Sequence, residues 1–173
     1  MCRLQAYDRN FNFGHNGSLA SDSDYKMTLP DAATFKDINT DSKIPDVTEA
    51  EVDNYLSLYD QTLRKKITDM YNGRFLRTIR SSHMDTMTFV KGRVSAEMSK
   101  SCVYIVDISL DIHGVVQESQ CECTAGTGPN ADCKHVALVL FALTKAKEGI
   151  WTKETCTQTL QSFHQVKVTG EVR

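Results

Sequence analysis

Residues 121–135 read CECTAGTGPNADCKH. Cys121 and Cys123 open the stretch, Cys133 and His135 close it, and nine residues separate the pairs. Three thiols and one imidazole form a complete tetrahedral ligand set for a structural zinc ion. Side chains two apart in a strand share a face, so Cys121 and Cys123 are expected to turn both sulfurs to one side. The intervening TAGTGPNAD is rich in Gly, Pro, Asn and Asp, which is turn chemistry suited to folding the chain back. Asp132 then reads as a helix N-cap ahead of VALVLFALTKAK, with Cys133 and His135 in the first turn. Three thiolates on Zn²⁺ leave a net negative centre. The partial positive charge of a helix N-terminus favours it, and so does Lys134 between the ligands.

Two other readings use the same residues. Cys133 and His135 would make a nucleophile–base pair, but no third group orients the imidazole, and such partners usually come from distant parts of a chain. Disulfides are the second. Cys121 and Cys123 are too close to bridge each other comfortably, and nothing marks the chain as secreted. One cysteine alone would mean little, since free Cys is a common buried residue.

Outward from the motif, VYIVDISL at 103–110 is the clearest strand, with Tyr104, Val106, Ile108 and Leu110 on one face. Asp111–Gly114 is a turn, and Val115–Cys123 returns as the second arm of a hairpin that delivers two thiols. The helix from Cys133 to about Lys147 is apolar nearly all round at its start and is expected to be buried, with Gly149 ending it. Hairpin, metal loop and helix make an α+β arrangement: a small antiparallel sheet with a zinc-linked buried helix. A structural zinc site contributes about 10–16 kcal/mol, comparable to the whole stability of a domain, so the metal should decide whether this half folds.

Upstream, Arg74–Ser81 and Thr86–Ala96 read as strands, with Gly92 as a bulge or tight bend. A helix starts after Pro45. Thr48 and Glu51 form a capping box, and Val47 with Val52 a hydrophobic staple. Val52, Tyr55, Leu56, Tyr59, Leu63, Ile67, Met70 and Tyr71 continue a helical stripe to Asn72 and Gly73, with a break near Asp60 giving two shorter helices. Residues 1–45, with their scattered Gly, Ser and Pro and no periodicity, are expected to be a loose tail in which FNF at 11–13 and Phe35 are short docking points. The organisation expected is therefore 1–45 poorly ordered, 46–100 helix and basic strands, 101–165 zinc module and 166–173 loose.

At 173 residues, 40% hydrophobic and 24% charged, the chain is globular in composition. Its longest apolar run, VALVLFAL, is far too short to span a membrane. The first residues lack the apolar core of a signal peptide and a myristoylation Gly at position 2. Six Cys without a secretion signal imply a reducing compartment, nucleus or cytoplasm. Net charge is −2 but unevenly placed. Residues 1–63 hold 5 Lys/Arg against 11 Asp/Glu, residues 64–100 hold 9 against 3, and residues 101–173 hold 6 against 8. The basic middle is a candidate anion-binding surface, or one of two solvated faces that neutralise each other.

The C-x-C…C-x-H pattern before CKHVALVLFAL resembles the SWIM zinc finger. PDVTEAEVDNYL, FVKGRV, YIVDISLDIHGVVQESQCECTAGTG and TCTQTLQSFH extend the likeness over roughly residues 45–165. There the chain is similar to the N-terminal region of animal proteins that carry a SWIM finger ahead of a YqaJ-type recombinase nuclease domain. The resemblance implies a SWIM module without its catalytic partner, because no acidic nuclease constellation is present in this sequence. It links the module to DNA binding and to protein interaction, and the fold does not choose between them.

The function expected is thus non-enzymatic. One form is a zinc module that contacts DNA or RNA non-specifically through Arg64, Lys65, Lys66, Arg74, Arg77, Arg80, Lys91 and Arg93, interleaved with Tyr71, Phe75 and Phe89, or that acts as a DNA-associated adaptor. The alternative is a protein-interaction module, with a partner such as a separate nuclease. An accessory part of a nuclease is the third. Arg74 and Arg80 fall on one side of their strand and Arg77 on the other, which tempers the first reading. Cys156 and His164 are two ligands only and cannot close a second site. Asp107 and Asp111 read as solvated acids at strand ends.

Overall fold

The computed structural model describes residues 26–57, 62–99 and 101–152. Its elements run β1 (Lys36–Asp37), α1 (Glu49–Leu56), α2 (Thr62–Asn72), β2 (Leu76–Met84), β3 (Met87–Ser95), β4 (Val103–Leu110), β5 (Val116–Cys121) and α3 (Lys134–Thr144). The strands form one open antiparallel sheet in the order β1-β2-β3-β4-β5. This is the expected α+β class. The sheet is larger than a hairpin, however, because the basic strand β3 pairs directly onto β4 and β2 onto β3. Position 100/101 therefore divides nothing: Ser95 opposes Val103 and Thr88 opposes Leu110 along the whole β3–β4 ladder.

The core lies between one sheet face and the helices. Leu76, Ile79, Val90, Val94, Val106, Ile108 and Leu110 project from the sheet, and α3 lies against them with Val136, Leu138, Val139 and Leu140 fully buried. Helices α1 and α2 pack on α3. One cross-strand row runs Ile79–Gly92–Val106–Cys121, so a metal-ligand candidate ends a line of core residues. Gly92 makes no bulge, contrary to the sequence reading: β3 pairs through it without a shift. Its role is close approach. A Cβ built there would lie 2.5 Å from Cγ2 of Val139, so the missing side chain is what lets α3 lie down on the sheet.

β2 departs from strict alternation. The β2–β3 register slips between Leu76 and Thr78, leaving Arg77 as an extra residue. The slip explains why Leu76 and Ile79, three apart, both reach the core.

The start of α1 follows its sequence signal. Thr48 Oγ1 accepts from the Glu51 N–H at 3.2 Å, and Val47 and Val52 are both buried. α2 ends in a Schellman arrangement: Phe75 N–H donates to Met70 O, and Arg74 N–H to Tyr71 O. The left-handed residue there is Arg74, at φ 54°, and not Gly73. Residues 58–61, the short helix or turn expected near 152–163, FNF at 11–13, Cys156, His164 and the tail 166–173 lie outside the described residues.

The expected loose segment 1–45 is corrected from Lys26 onward. Met27, Phe35 and Ile38 are buried, β1 pairs with β2, and Met27, Phe35 and Phe89 form a small second cluster on the outer sheet face. Met27 N–H donates to Gln120 Oε1, and Thr34 Oγ1 meets Ser82 Oγ at 2.7 Å. Three well-spaced apolar side chains sufficed to tie this segment down, and they leave no periodicity to read. No helix among the described residues is long and apolar enough to cross a membrane.

Candidate metal centre

Cys121 is the last residue of β5, Cys133 the N-cap of α3 and His135 the second residue of that helix. Cys123 lies beyond the strand, in a turn, so the same-face argument for the thiol pair does not apply. The turn supplies the geometry. Cys121 N–H donates to Gly126 O at 2.8 Å, and Gly126 N–H to Cys123 O at 2.9 Å. A Cβ on Gly126 would sit 2.4 Å from Cys121 Cβ and 2.9 Å from its carbonyl oxygen, so glycine lets the chain close around Cys121.

The rest of the loop is fastened to the free edge of β5. Ser119 N–H donates to Pro129 O, Ala131 N–H donates to Ser119 O, and Ser119 bridges Asn130 in parallel. This delivers Cys133 to the far side of the thiol pair. Asp132 is not the cap it resembles: it is exposed, and the N-cap position belongs to Cys133, with no side-chain capping bond.

Cys121, Cys123, Cys133 and His135 converge, and their ligand atoms all lie within 4.8 Å of one another. A tetrahedron with Zn–S bonds of about 2.3 Å has edges of about 3.8 Å, so closure on an ion needs shifts of about 1 Å at most. His135 Nδ1 already stands 3.8 Å from Cys121 Sγ. All four residues are at most 6% exposed. His135 Nε2 is buried with no hydrogen-bond partner among the described residues. An imidazole buried with so little hydrogen bonding is costly unless something else satisfies it. The donor set fits a metal ion, and its softness and count fit zinc.

The thiols show what the ion would do. Hydrogen bonds from Cys121 and then Cys133 hold the Cys123 thiol far below its usual range. The same sharing with Cys123 and Cys133, together with burial, pushes Cys121 far up. A zinc ion ligated by three cysteines makes all three thiolates, so loading releases protons. Lys134 does not face the centre with a free charge. Its ammonium pairs with Glu97, which also takes Lys66 at 3.1 Å. The two lysines, Lys134 first, hold the Glu97 carboxyl below the usual range.

Two residues at the site were not legible as site residues. Tyr55 on α1 donates its hydroxyl to Ala131 O, and Ser119 Oγ donates to the same carbonyl at 3.2 Å. Tyr55 shows in the sequence only as one position in an apolar stripe, and Ser119 as one polar residue of a strand.

The eight basic candidates do not form one open surface. Arg64 pairs with Glu49 and Asp53, Lys66 with Glu97, Arg80 with Asp37 at 3.1 Å and Lys91 with Asp107 at 3.1 Å. Asp107 is therefore no solvated strand-end acid. Burial raises its pKa against the opposing pull of Lys91. Asp111 closes the β4–β5 turn, accepting from the Val115 and His113 N–H groups. Arg77 donates to Ser95 Oγ at 2.7 Å. Arg74 lies over the Trp151 ring, 4.7 Å from its centroid. Lys65 and Lys66 line a shallow cavity of about 330 Å³ with Asp69, Met70, Phe75 and Glu97. Arg93 is exposed on the outer sheet face, opposite Thr78 and Ile105. Cys102, which precedes β4, is half-buried and disulfide-bonded.

The chain matches no family model, no curated protein and no solved structure.

Proposed function

We propose that this chain is a SWIM-type zinc module that acts by binding a macromolecule and not by catalysis. The observation that carries the reading is the closed, buried Cys121–Cys123–Cys133–His135 set at the junction of the sheet and α3. Four protein ligands leave zinc no open position for an activated water, which is the arrangement of a structural ion. When bound, the ion supplies a crosslink between the end of β5 and the start of α3. The protein's own residues fold the intervening loop, bury the sulfurs and leave His135 Nε2 without a hydrogen-bond partner among the described residues.

The charge pairing favours a protein partner over nucleic acid. Four of the eight basic candidates already hold carboxylates, so a phosphate would have to displace an intramolecular partner at each. A specific observation keeps nucleic acid as the second reading. Lys65, Arg74 and Arg93 have no ion pair among the described residues, and Arg74 braces an exposed Trp151, a surface suited to stacking a base. Affinity for mixed-sequence single- and double-stranded DNA across a salt series separates the two. Replacing Arg74, Arg77, Arg80 and Arg93 with Gln should shallow the salt slope by about 0.7–0.9 per lost phosphate contact if nucleic acid is the ligand. An absence of binding by the wild type at low salt leaves the protein-partner reading.

A further inference from the structure

We infer that Tyr55 is a positioning residue for the metal loop, so that α1 docking and zinc affinity are coupled through one carbonyl, Ala131 O. The inference rests on the zinc reading above. The carbonyl lies two residues before Cys133 and is the meeting point of three elements. Tyr55 OH reaches it from α1, 76 residues away in sequence, and Ser119 Oγ reaches it from β5. Ser119 is 1% exposed and Ala131 1% exposed, so water does not compete for these groups.

The loop is tied to β5 through its backbone. Its backbone bonds to β5 run through Pro129, Asn130 and Ala131, and Cys133 itself has no side-chain capping bond. Fixing the Ala131 peptide therefore fixes the approach of the Cys133 sulfur to the thiol pair. Groups one step removed from a metal commonly change its affinity 10–100-fold when they are lost. Coupling is reciprocal, so zinc must hold α1 as firmly as α1 holds the loop. α1 is also tied to α2, because Glu49 and Asp53 both pair with Arg64.

The test uses the full chain, zinc and a chromophoric chelator in competition. Tyr55→Phe keeps the ring and removes only the hydroxyl. Its zinc dissociation constant should rise about tenfold, while the stoichiometry stays at one zinc per chain. Val52→Ala is the control: it thins the apolar contact of the same helix without touching Ala131 O, and should change the constant less than threefold. Cobalt loaded in place of zinc should give a shifted ligand-field spectrum in Tyr55→Phe and an unshifted one in Val52→Ala. Should Tyr55→Phe not fold, Ser119→Ala removes the second hydroxyl and should weaken zinc in the same direction. An affinity within twofold of wild type in the hydroxyl variants, or equal weakening in Val52→Ala, overturns the coupling and leaves the zinc reading standing. A folded wild type that takes up no zinc overturns both.

Discussion

Gly92→Ala is the substitution whose cost follows most directly from the geometry. A methyl at this position meets Val139 Cγ2 at 2.5 Å and Cγ1 at 3.5 Å. Carbon atoms in contact sit about 3.5–4.0 Å apart, so the first pair must separate by roughly 1 Å or more. Neither side yields easily. Val139 is fully buried and β-branched on a helix, where one χ1 rotamer dominates. Gly92 is held between paired strands on both sides, opposite Ile79 and Val106. α3 must lift, and it carries Cys133 and His135. Overpacking of this kind costs about 1–3 kcal/mol. Removing a glycine from the unfolded ensemble returns about 0.4–1 kcal/mol, because no positive φ is required here. The net expected loss centres on about 1.3 kcal/mol, within about 0–2.6 kcal/mol. Val139→Ala deletes the obstructing methyls at the cost of a small cavity. The double variant should be more stable than the sum of the two single losses by about 1 kcal/mol or more. Urea unfolding of the four proteins at saturating zinc measures the cycle. Additivity within about 0.3 kcal/mol, or a neutral Gly92→Ala with Val139 intact, would refute the close-approach argument.

Purified protein should hold close to one zinc per chain by metal analysis, and Cys133→Ser should lower that content together with hydrogen-exchange protection from about Val103 to Lys147; full protection without metal would show that the ion is not structural. Arg74→Gly should be more stable than Arg74→Ala by about 0.5–1 kcal/mol in thermal melts, because the left-handed position tolerates glycine and both variants lose the Trp151 contact. Gly126→Ala should weaken zinc binding more than Gly128→Ala in chelator competition, since only the former brings a methyl against the Cys121 backbone; Gly128 sits at φ 101° with open space, so its variant is strained without a clash. Glu97 titrates below the usual carboxylate range, so any stability it adds is present above about pH 4 and lost as the pH falls through its lowered value. Lys134→Gln should move its NMR titration midpoint upward, and an unmoved midpoint would remove Lys134 as the cause.

The ligand set was legible because it is local. Fifteen consecutive residues contain all four donors, the turn and the helix start, and short-range preferences of Gly, Pro and Asn act within that span. The α1 cap, the β4 face and the burial of α3 were readable for the same reason, since each depends on neighbours within a turn or a pleat. Three features needed the tertiary structure. Gly92 reads in the sequence as a bulge or tight bend, and only the position of Val139 shows a close approach instead. Arg77 becomes the extra residue of β2 because the β2–β3 register slips, a property of two strands and not of either one. The basic middle looks like a phosphate surface in one dimension, but folding sets Arg64 beside Glu49 and Asp53, and Lys91 beside Asp107. Net charge along a sequence adds without regard to distance, whereas Coulomb attraction between side chains depends on it. The sequence by itself determined which residues can hold a metal and which segments fold around it. The tertiary structure decided which charges are already spent, and it placed Tyr55 on Ala131 across 76 residues of chain, a contact that no local pattern encodes.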